Sequence, residues 1–533
     1  MDIRLDPLSG ITPDTLRGSN IGLEKEGLRV TREGRISSLR HPLKLGSALT
    51  HPSITTDFSE ALLELVTPPC QTAQGAIATL TETQAFVHHQ LGDELIWSAS
   101  MPCRIDTERE IPIACYGRSD SGMAKQIYRR GLAHRYGRMM QTIAGVHFNY
   151  SFGEALWPLL QEITGQHGAL QSFIAERYMS TLRNVQRYDW LLLYLFGASP
   201  AAHIDFIGAR EKLQRFDRKT AYAPYATSLR MSDMGYSNSL PASHSLFIDS
   251  NSLSAYIETL RKAVETPHPA YETIGTLVGG KHRQLNTHLL QIENEYYTSV
   301  RPKQVLHTDE SPLTALQRRG IRYLELRSLD VNPFTPAGVT LEQLRFLELF
   351  LHFCLLSESP RHDPEQSHRN RHNLNRTAHA GRDPALKLDR AGTPVALREW
   401  ALSLFDAMQT TVELLDAAHG NDAYTKALAS QRERINNPEL TPSARLLAEI
   451  DQSGLGFTDY VLQQSERHHL QHLSRSLIPE RTEYYKALTR QSLRQQSILE
   501  RESSDLYIPP REKASIKRHC NRSRTLQCAC CRG

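Results

Sequence analysis

Polar and apolar residues alternate in several short runs of the chain. In "GVHFNYSF" (145–152) His147, Asn149 and Ser151 fall on one face. In "YLELRSLD" (323–330) Glu325 and Arg327 share a face, with Leu324, Leu326 and Ser328 on the other. In "LLELVTPP" (62–69) Glu64 stands between Leu63 and Leu65, and two prolines close the run. A period of two predicts strands. The preceding "ITTDFSEAL" (54–62) also fits helical spacing through Asp57, Glu60 and Glu64. Val66, Thr67 and the prolines favour a strand from about Leu62. In "GLEKEGLRV" (22–30) a strand puts Glu24 and Glu26 on one face, where like charges raise each other's pKa.

Helical periodicity occupies 76–95, 341–357 and 398–418; Leu341, Leu344, Leu347 and Leu351 form one stripe. Between the last two, the polar segment from Ser359 to Thr393 reads as a long loop or irregular region. The most apolar window, Trp190 to Ala202, is shorter than the roughly 20 residues a bilayer span needs and reads as buried core. From about Ala487 the apolar stripe fades, which predicts a frayed helix and then a disordered tail. The pattern is α+β: a polar-faced antiparallel sheet with helices, its sheet-bearing part at about 18–340. A mostly helical part follows to about 505, and 506–533 is a basic, Cys-rich tail.

Composition narrows the function classes. With 533 residues, 40% hydrophobic and 23% charged, the chain is ordinary globular protein. A net charge of +4 gives no whole-chain field for nucleic acid. The N-terminus lacks the apolar stretch of a signal peptide, and no membrane association is expected. Cys70, Cys103, Cys115 and Cys354 read as buried thiols, whereas Cys520, Cys528, Cys530 and Cys531 crowd the tail. This is no disulfide framework, and a reducing cytoplasm is the expected compartment.

Acids recur on strand faces, often near arginines: Glu24, Glu26, Asp57, Glu64 and Glu325, with His147 on another such face and Arg327 beside Glu325. Hard divalent cations take oxygen ligands and partner substrate phosphates. A metal between the paired glutamates is one reading. The other is that the acids are solvated, or paired with Lys25 and Arg29. Arg129 and Arg130 lie beside Tyr128, Arg230 near Tyr236, and Arg301 near Tyr297; arginine's fork suits phosphate and carboxylate. "GTLVGGKH" (275–282) approaches a phosphate-binding loop, but His282 stands where Ser or Thr should hold magnesium. A turn between two strands is expected there. His362, His368, His372 and His379 lack metal-site spacing.

Together "GLEKEGLRV", "GSALTHPSITTDFSEALLELVTPP", "YRRGLAHRYGRMMQTIAGVHFNYS", "YATSLRMSDMGYSN", "LQIENEYYTSVRPK" and "YLELRSLDVNPFTPAGV" resemble the proteobacterial-type glutamate-cysteine ligase family. The likeness runs in order from about Gly18 to about Gly456 and thins after Tyr460. It implies a glutamine-synthetase-like fold whose curved antiparallel sheet forms a funnel. It implies ATP-dependent joining of L-glutamate to L-cysteine through a γ-glutamyl phosphate, the first step of glutathione synthesis. Glu24, Glu26, Asp57, Glu64, His147 and Glu325 match the ligands of two or three Mg²⁺ ions, with Mn²⁺ a possible substitute. Arg129 and Arg327 match residues around the transferred phosphate. Gln141, Asn149 and Arg230 match the glutamate pocket, and Tyr128, Tyr236 and Tyr297 the walls around the cysteine side chain. The resemblance also implies feedback inhibition by glutathione; a monomer is expected.

Overall fold

The computed structural model describes residues 10–207, 213–235, 246–307 and 310–503. Seven strands form the central sheet: β1 (Asn20–Val30), β2 (Ile54–Thr56), β3 (Leu62–Val66), β4 (Leu95–Ile96), β5 (Val146–Ser151), β6 (Val300–Lys303) and β7 (Tyr323–Leu329). The order is β6-β7-β5-β1-β3-β2, with β4 on the far end of β1, and every pair is antiparallel. The three expected strands are present, and the ambiguous run holds the short β2 before β3 begins at Leu62.

The alternation along β1 sorts the sheet into two faces. Ile21 and Leu23 point into the core with Lys25. Behind the sheet, α1 (Ala73–His88) packs on β1 and β3, and a later helix, Phe457–Ser474, packs on α1 and β4. Thr72 caps α1 by accepting from Gly75 N at 3.0 Å. The outward face of α1 carries fewer apolar residues than its buried side, as a helix laid on a sheet requires. Four buried histidines, His88, His468, His469 and His472, meet behind β1; His88 and His469 share a 2.8 Å contact between Nδ1 atoms. On the other side of the molecule α2 (Asp120–Tyr136) brings basic residues to the sheet, and α3 (Leu170–Phe196) packs on β6 and β7. The apolar window from Trp190 is the buried end of α3.

The segment expected as a long loop is ordered. Helix α4 (Leu341–Leu356) is followed by α5 (Pro364–Ala380) and a hairpin, Lys387–Arg390 with Thr393–Ala396. Asp363 caps α5 at Gln366 N, 2.6 Å, and Pro364 starts it. Its inward stripe is Asn370, Asn373, Thr377 and Ala378, so hydrophobic periodicity had little to register. Asn373 satisfies both backbone groups of Asp389 at 2.8 Å. The single helix expected at 398–418 is two, Leu397–Ala407 and Gln409–His419, meeting at Met408.

The expected fraying from Ala487 is also corrected. Helix α7 (Pro479–Glu502), the next after α6 (Phe457–Ser474), is tied down along its length. Tyr485 stacks on Phe86 at 4.9 Å, Ser492 Oγ accepts from Ser47 N at 3.0 Å, and Glu500 accepts from Arg118 N at 3.0 Å. Residues 506–533, with the four tail cysteines, lie outside the described residues. Of the other thiols Cys103 and Cys354 are buried, but Cys70 is half-buried and Cys115 exposed. Among the described residues no helix is long and apolar enough to cross a membrane.

Candidate active site

The front face of the sheet gathers the acids. Strand register sets Glu24 opposite His147, Glu26 opposite Glu64, and Glu325 opposite Asn149. Six strand positions from four strands therefore converge on one surface. His147 Nδ1 lies 2.9 Å from Glu24 Oε2, and Asn149 Nδ2 donates to Glu24 Oε1 at 2.9 Å. Gly145 N donates to Glu26 Oε2 at 2.7 Å. Arg129, from α2, places Nη2 3.6 Å from Asp57 Oδ1 and lays its guanidinium over Tyr116.

Lys25 and Arg29 do not neutralise this face. Both point behind the sheet, where Arg29 Nη1 pairs with Glu94 at 2.5 Å and burial lowers Lys25 to about 8. Their side-chain direction is fixed by the strand period, since odd positions of β1 face the helices. The alternative open in the sequence, ion pairing of Glu24 and Glu26 with Lys25 and Arg29, is thereby excluded.

The acids differ in electrostatic environment. Burial pushes the Glu64 carboxyl up, and Glu24, Asp57 and Glu26 beside it push further, leaving it well above its usual 4.5. Burial also raises Glu26, with His147 offsetting it only in part. Burial is the largest influence on Glu24 and acts upward, but the His147 hydrogen bond and charge, with Lys303, together outweigh it and the carboxyl sits below 4.5. Glu325 lies well below 4.5: Lys303, Arg327 and Arg301 overcome the cost of burial. Lys303 Nζ and Arg327 Nη1 are 3.4 and 3.3 Å from Glu325 Oε1.

This donor set fits a hard divalent cation. Glu24, Glu64 and His147 offer ligand atoms all within 4.8 Å of one another. Glu325 Oε2 and Asn149 Oδ1 are buried and accept no hydrogen bond among the described residues. Carboxylates crowded on one face, two of them raised by that crowding and burial, with oxygen atoms left over, match Mg²⁺ or Mn²⁺ chemistry.

Next to this face, Arg230 Nη2 donates to the main-chain oxygen of Arg327 at 2.8 Å, and Arg230 Nη1 is 3.6 Å from Asp330. Gln141 Nε2 donates to the Tyr297 hydroxyl at 3.2 Å. A cavity of about 590 Å³ opens between Tyr297, Ser299, Arg327, Met231 and Leu374. Its size suits small-molecule substrates.

The profile of the family described as "Glutamate-cysteine ligase" matches residues 9–377. The chain belongs to the glutamate-cysteine ligase family. It is 46% identical over 490 residues to a glutamate-cysteine ligase of Alcanivorax borkumensis, covering 91% of this chain and 93% of that protein. It is 47% identical over 491 residues to one from Pseudomonas putida strain W619, covering 91% and 93%. The crystal structure of the Francisella tularensis glutamate-cysteine ligase, a complex with AMP, superposes with a TM-score of 0.87 at 34% identity, covering 94% of this chain and 99% of that one. A bifunctional glutathione synthetase from Pasteurella multocida shares the fold at TM-score 0.69 and 24% identity, covering 86% of this chain and 53% of that one.

The expected α+β fold, with its antiparallel sheet and surrounding helices, is present. Glu24, Glu26, Glu64, His147, Asn149, Glu325 and Arg327 share the sheet face, and Asp57 and Arg129 adjoin it. Gln141 and Tyr297 touch each other; Tyr128 lies on α2 beside Arg129. Tyr236 falls outside the described residues. Three contributors were missed. Lys303 follows Arg301 at strand spacing in "VRPK", a signal the sequence did carry. Asp330, behind Arg230, is revealed only by tertiary contact. Gly145 has no side chain to signal a role, yet a Cβ there would collide with the Arg230 guanidinium. The phosphate-loop look-alike is the expected turn, Leu277–Val278 paired with Lys281–His282 through Gly279 and Gly280 at positive φ.

Proposed function

We propose that the acid-lined sheet face is where this chain carries out the reaction of its family. That reaction is ATP-dependent synthesis of γ-glutamylcysteine from L-glutamate and L-cysteine, the first step of glutathione biosynthesis. The carrying observation is the convergence of Glu24, Glu26, Glu64, His147 and Glu325 on one partly buried surface bordered by Arg129 and Arg327.

A carboxylate is a poor electrophile and must be activated. Transfer of the terminal phosphoryl group of ATP to the γ-carboxylate gives an acyl phosphate and ADP. The neutral amine of cysteine then attacks the acyl carbon, forming the amide and expelling phosphate. Glu24, Glu26, Asp57, Glu64, His147 and Glu325 would hold two or three Mg²⁺ ions, or Mn²⁺. When bound, these supply positive charge against the repulsion between nucleotide and carboxylate. Arg129 and Arg327 stabilise charge on the transferring group. Arg230, Gln141 and Asn149 are assigned to glutamate, with Asn149 also orienting Glu24. Tyr128, Tyr297 and Tyr236 are assigned to the cysteine side chain. The cavity beside Arg327 and Tyr297 gives the amino acids a water-poor setting in which the acyl phosphate survives. A cytoplasmic monomer inhibited by glutathione completes the reading, supported by the resemblance and by the thiol content.

Phosphate release with Mg-ATP, glutamate and a series of amines tests it. Cysteine should be the best amine and 2-aminobutyrate a substrate; a clear preference for ammonia or for longer amines would overturn the assignment.

A further inference from the structure

We infer that a second site, on the reverse side of the helix that carries Arg129, binds a small polyvalent anion of the phosphate type. A cleft of about 520 Å³ lies between α2, the short 3-10 turn Glu108–Glu110 and the hairpin strand Lys281–His282. Successive residues of α2 divide the work. Arg129 turns toward Asp57 at the sheet face, while Arg130 turns outward and touches the main-chain oxygen of His282 at 3.4 Å.

Five cations line this cleft: Arg109, Arg130, Arg138, Lys281 and Arg283. None forms an ion pair with a carboxylate among the described residues. The one carboxylate of the wall, Glu108, already accepts from the backbone N–H groups of Arg138 and Met139 at 2.9 and 3.3 Å. Five like charges brought to one concavity raise the local potential, and a bound anion relieves it. The positive field is felt by His134 on the same wall, whose pKa is lowered by burial and then by Arg283 and Arg138.

The wall is built, not a scatter of surface lysines. Arg138 Nη1 donates to the Ile111 carbonyl at 3.0 Å, and Arg283 reaches the Ile274 carbonyl at 3.4 Å. Each keeps N–H groups beyond those bonds, since a guanidinium carries five. The floor between the cations is apolar, made by Ile113, Ala133 and Val278. Gly279 and Gly280, both at positive φ, fold the hairpin back so that Lys281 arrives at the cleft. The near-match to a phosphate-binding loop thus contributes through its side chains, since no helix N-terminus follows it. Arginine forks and a lysine point charge over one small concavity suit several phosphate groups at once. The apolar floor leaves room for an organic part.

Tripolyphosphate titrated calorimetrically into the full chain in EDTA at low salt tests this. Without divalent cations the acidic sheet face repels the probe. The expected result is one site per chain, weakened about tenfold or more by the double variant R109E/K281E. Both positions are exposed, and circular dichroism melting checks folding; R109Q/K281Q serves if charge reversal impairs it. ATP titrated the same way separates two sources of the anion. Tighter binding than tripolyphosphate, lost in the same variant, assigns a nucleotide; equal or weaker binding assigns inorganic polyphosphate. No binding by the unmodified chain, or binding undiminished in both double variants, overturns the site.

Discussion

His147 and Glu24 face each other across the β1–β5 pairing, with Nδ1 2.9 Å from Oε2. An ionised carboxylate only accepts, so the imidazole donates from Nδ1, and Nε2 is the ring nitrogen left to face a metal. That nitrogen lies 4.0 Å from Glu26 Oε1, leaving a gap between donor atoms rather than a hydrogen bond. The pair thus presents a nitrogen and carboxylate oxygens to one point, while each fixes the other's orientation.

Glu24→Ala removes a proposed metal ligand and leaves His147 and Asn149 without their shared acceptor. Turnover with Mg-ATP should fall about a hundredfold or more, and the half-saturating Mg²⁺ concentration should rise. Circular dichroism should report a folded protein. Near-normal turnover would place Glu24 outside the site.

Arg327→Lys keeps a charge but loses the fork that sits 3.3 Å from Glu325 Oε1. Phosphate release should drop about a hundredfold, mainly in kcat, because the contact is needed most by the transferring group. An unchanged kcat would make Arg327 a structural residue only.

Gly145→Ala tests a position that carries no side chain of its own. The added methyl would displace the Arg230 guanidinium from its place against the β7 backbone. The KM for glutamate should rise about tenfold, with kcat and the KM for ATP affected far less. A uniform loss of all three, or no change, would contradict the assignment of Arg230 to glutamate.

The histidines behind β1 predict acid sensitivity. Burial, and then nearby positive charge, holds His468 down to about 3 and His472 to about 4, with His88 also well below 6.5. In the unfolded chain they titrate near 6.5. The unfolded state therefore binds more protons below that value. Their contribution is fully present above pH 6.5 and is lost as pH falls toward 4. Each adds a slope of about 1.4 kcal/mol per pH unit in that window. Urea unfolding of the unmodified chain and His468→Gln between roughly pH 7 and 5 measures it. The variant should show the shallower loss; identical slopes would mean His468 is not held neutral.

Much of the front face could be read from the sequence because a strand's period of two is strict. Once Glu24, Glu26, His147, Asn149, Glu325 and Arg327 sit on strands, each must share a face with its neighbour two residues away. What could not be read was register. Nothing local says that Glu24 meets His147 or that Glu26 meets Glu64; these pairings span long sequence separations. Helix α5 escaped because its buried stripe is Asn370, Asn373 and Thr377, small polar groups of which Asn373 is held by the backbone of Asp389 in the following hairpin. Gly145 and Asp330 escaped for a related reason: one acts by the room it leaves, the other through a partner on another segment. The far end of α7 was misjudged because its anchors, Ser492 and Glu500, are polar contacts to loops rather than an apolar stripe.

The central claim is that Glu24, Glu26, Asp57, Glu64, His147 and Glu325 hold divalent metal on the sheet face. Crystals grown with Mn²⁺ and ADP, measured at the manganese absorption edge, test it most directly. Anomalous peaks should lie among these six side chains, and Glu24→Ala should lose at least one of them. Manganese bound only elsewhere, with this face bare in a protein that still turns over, would contradict the account.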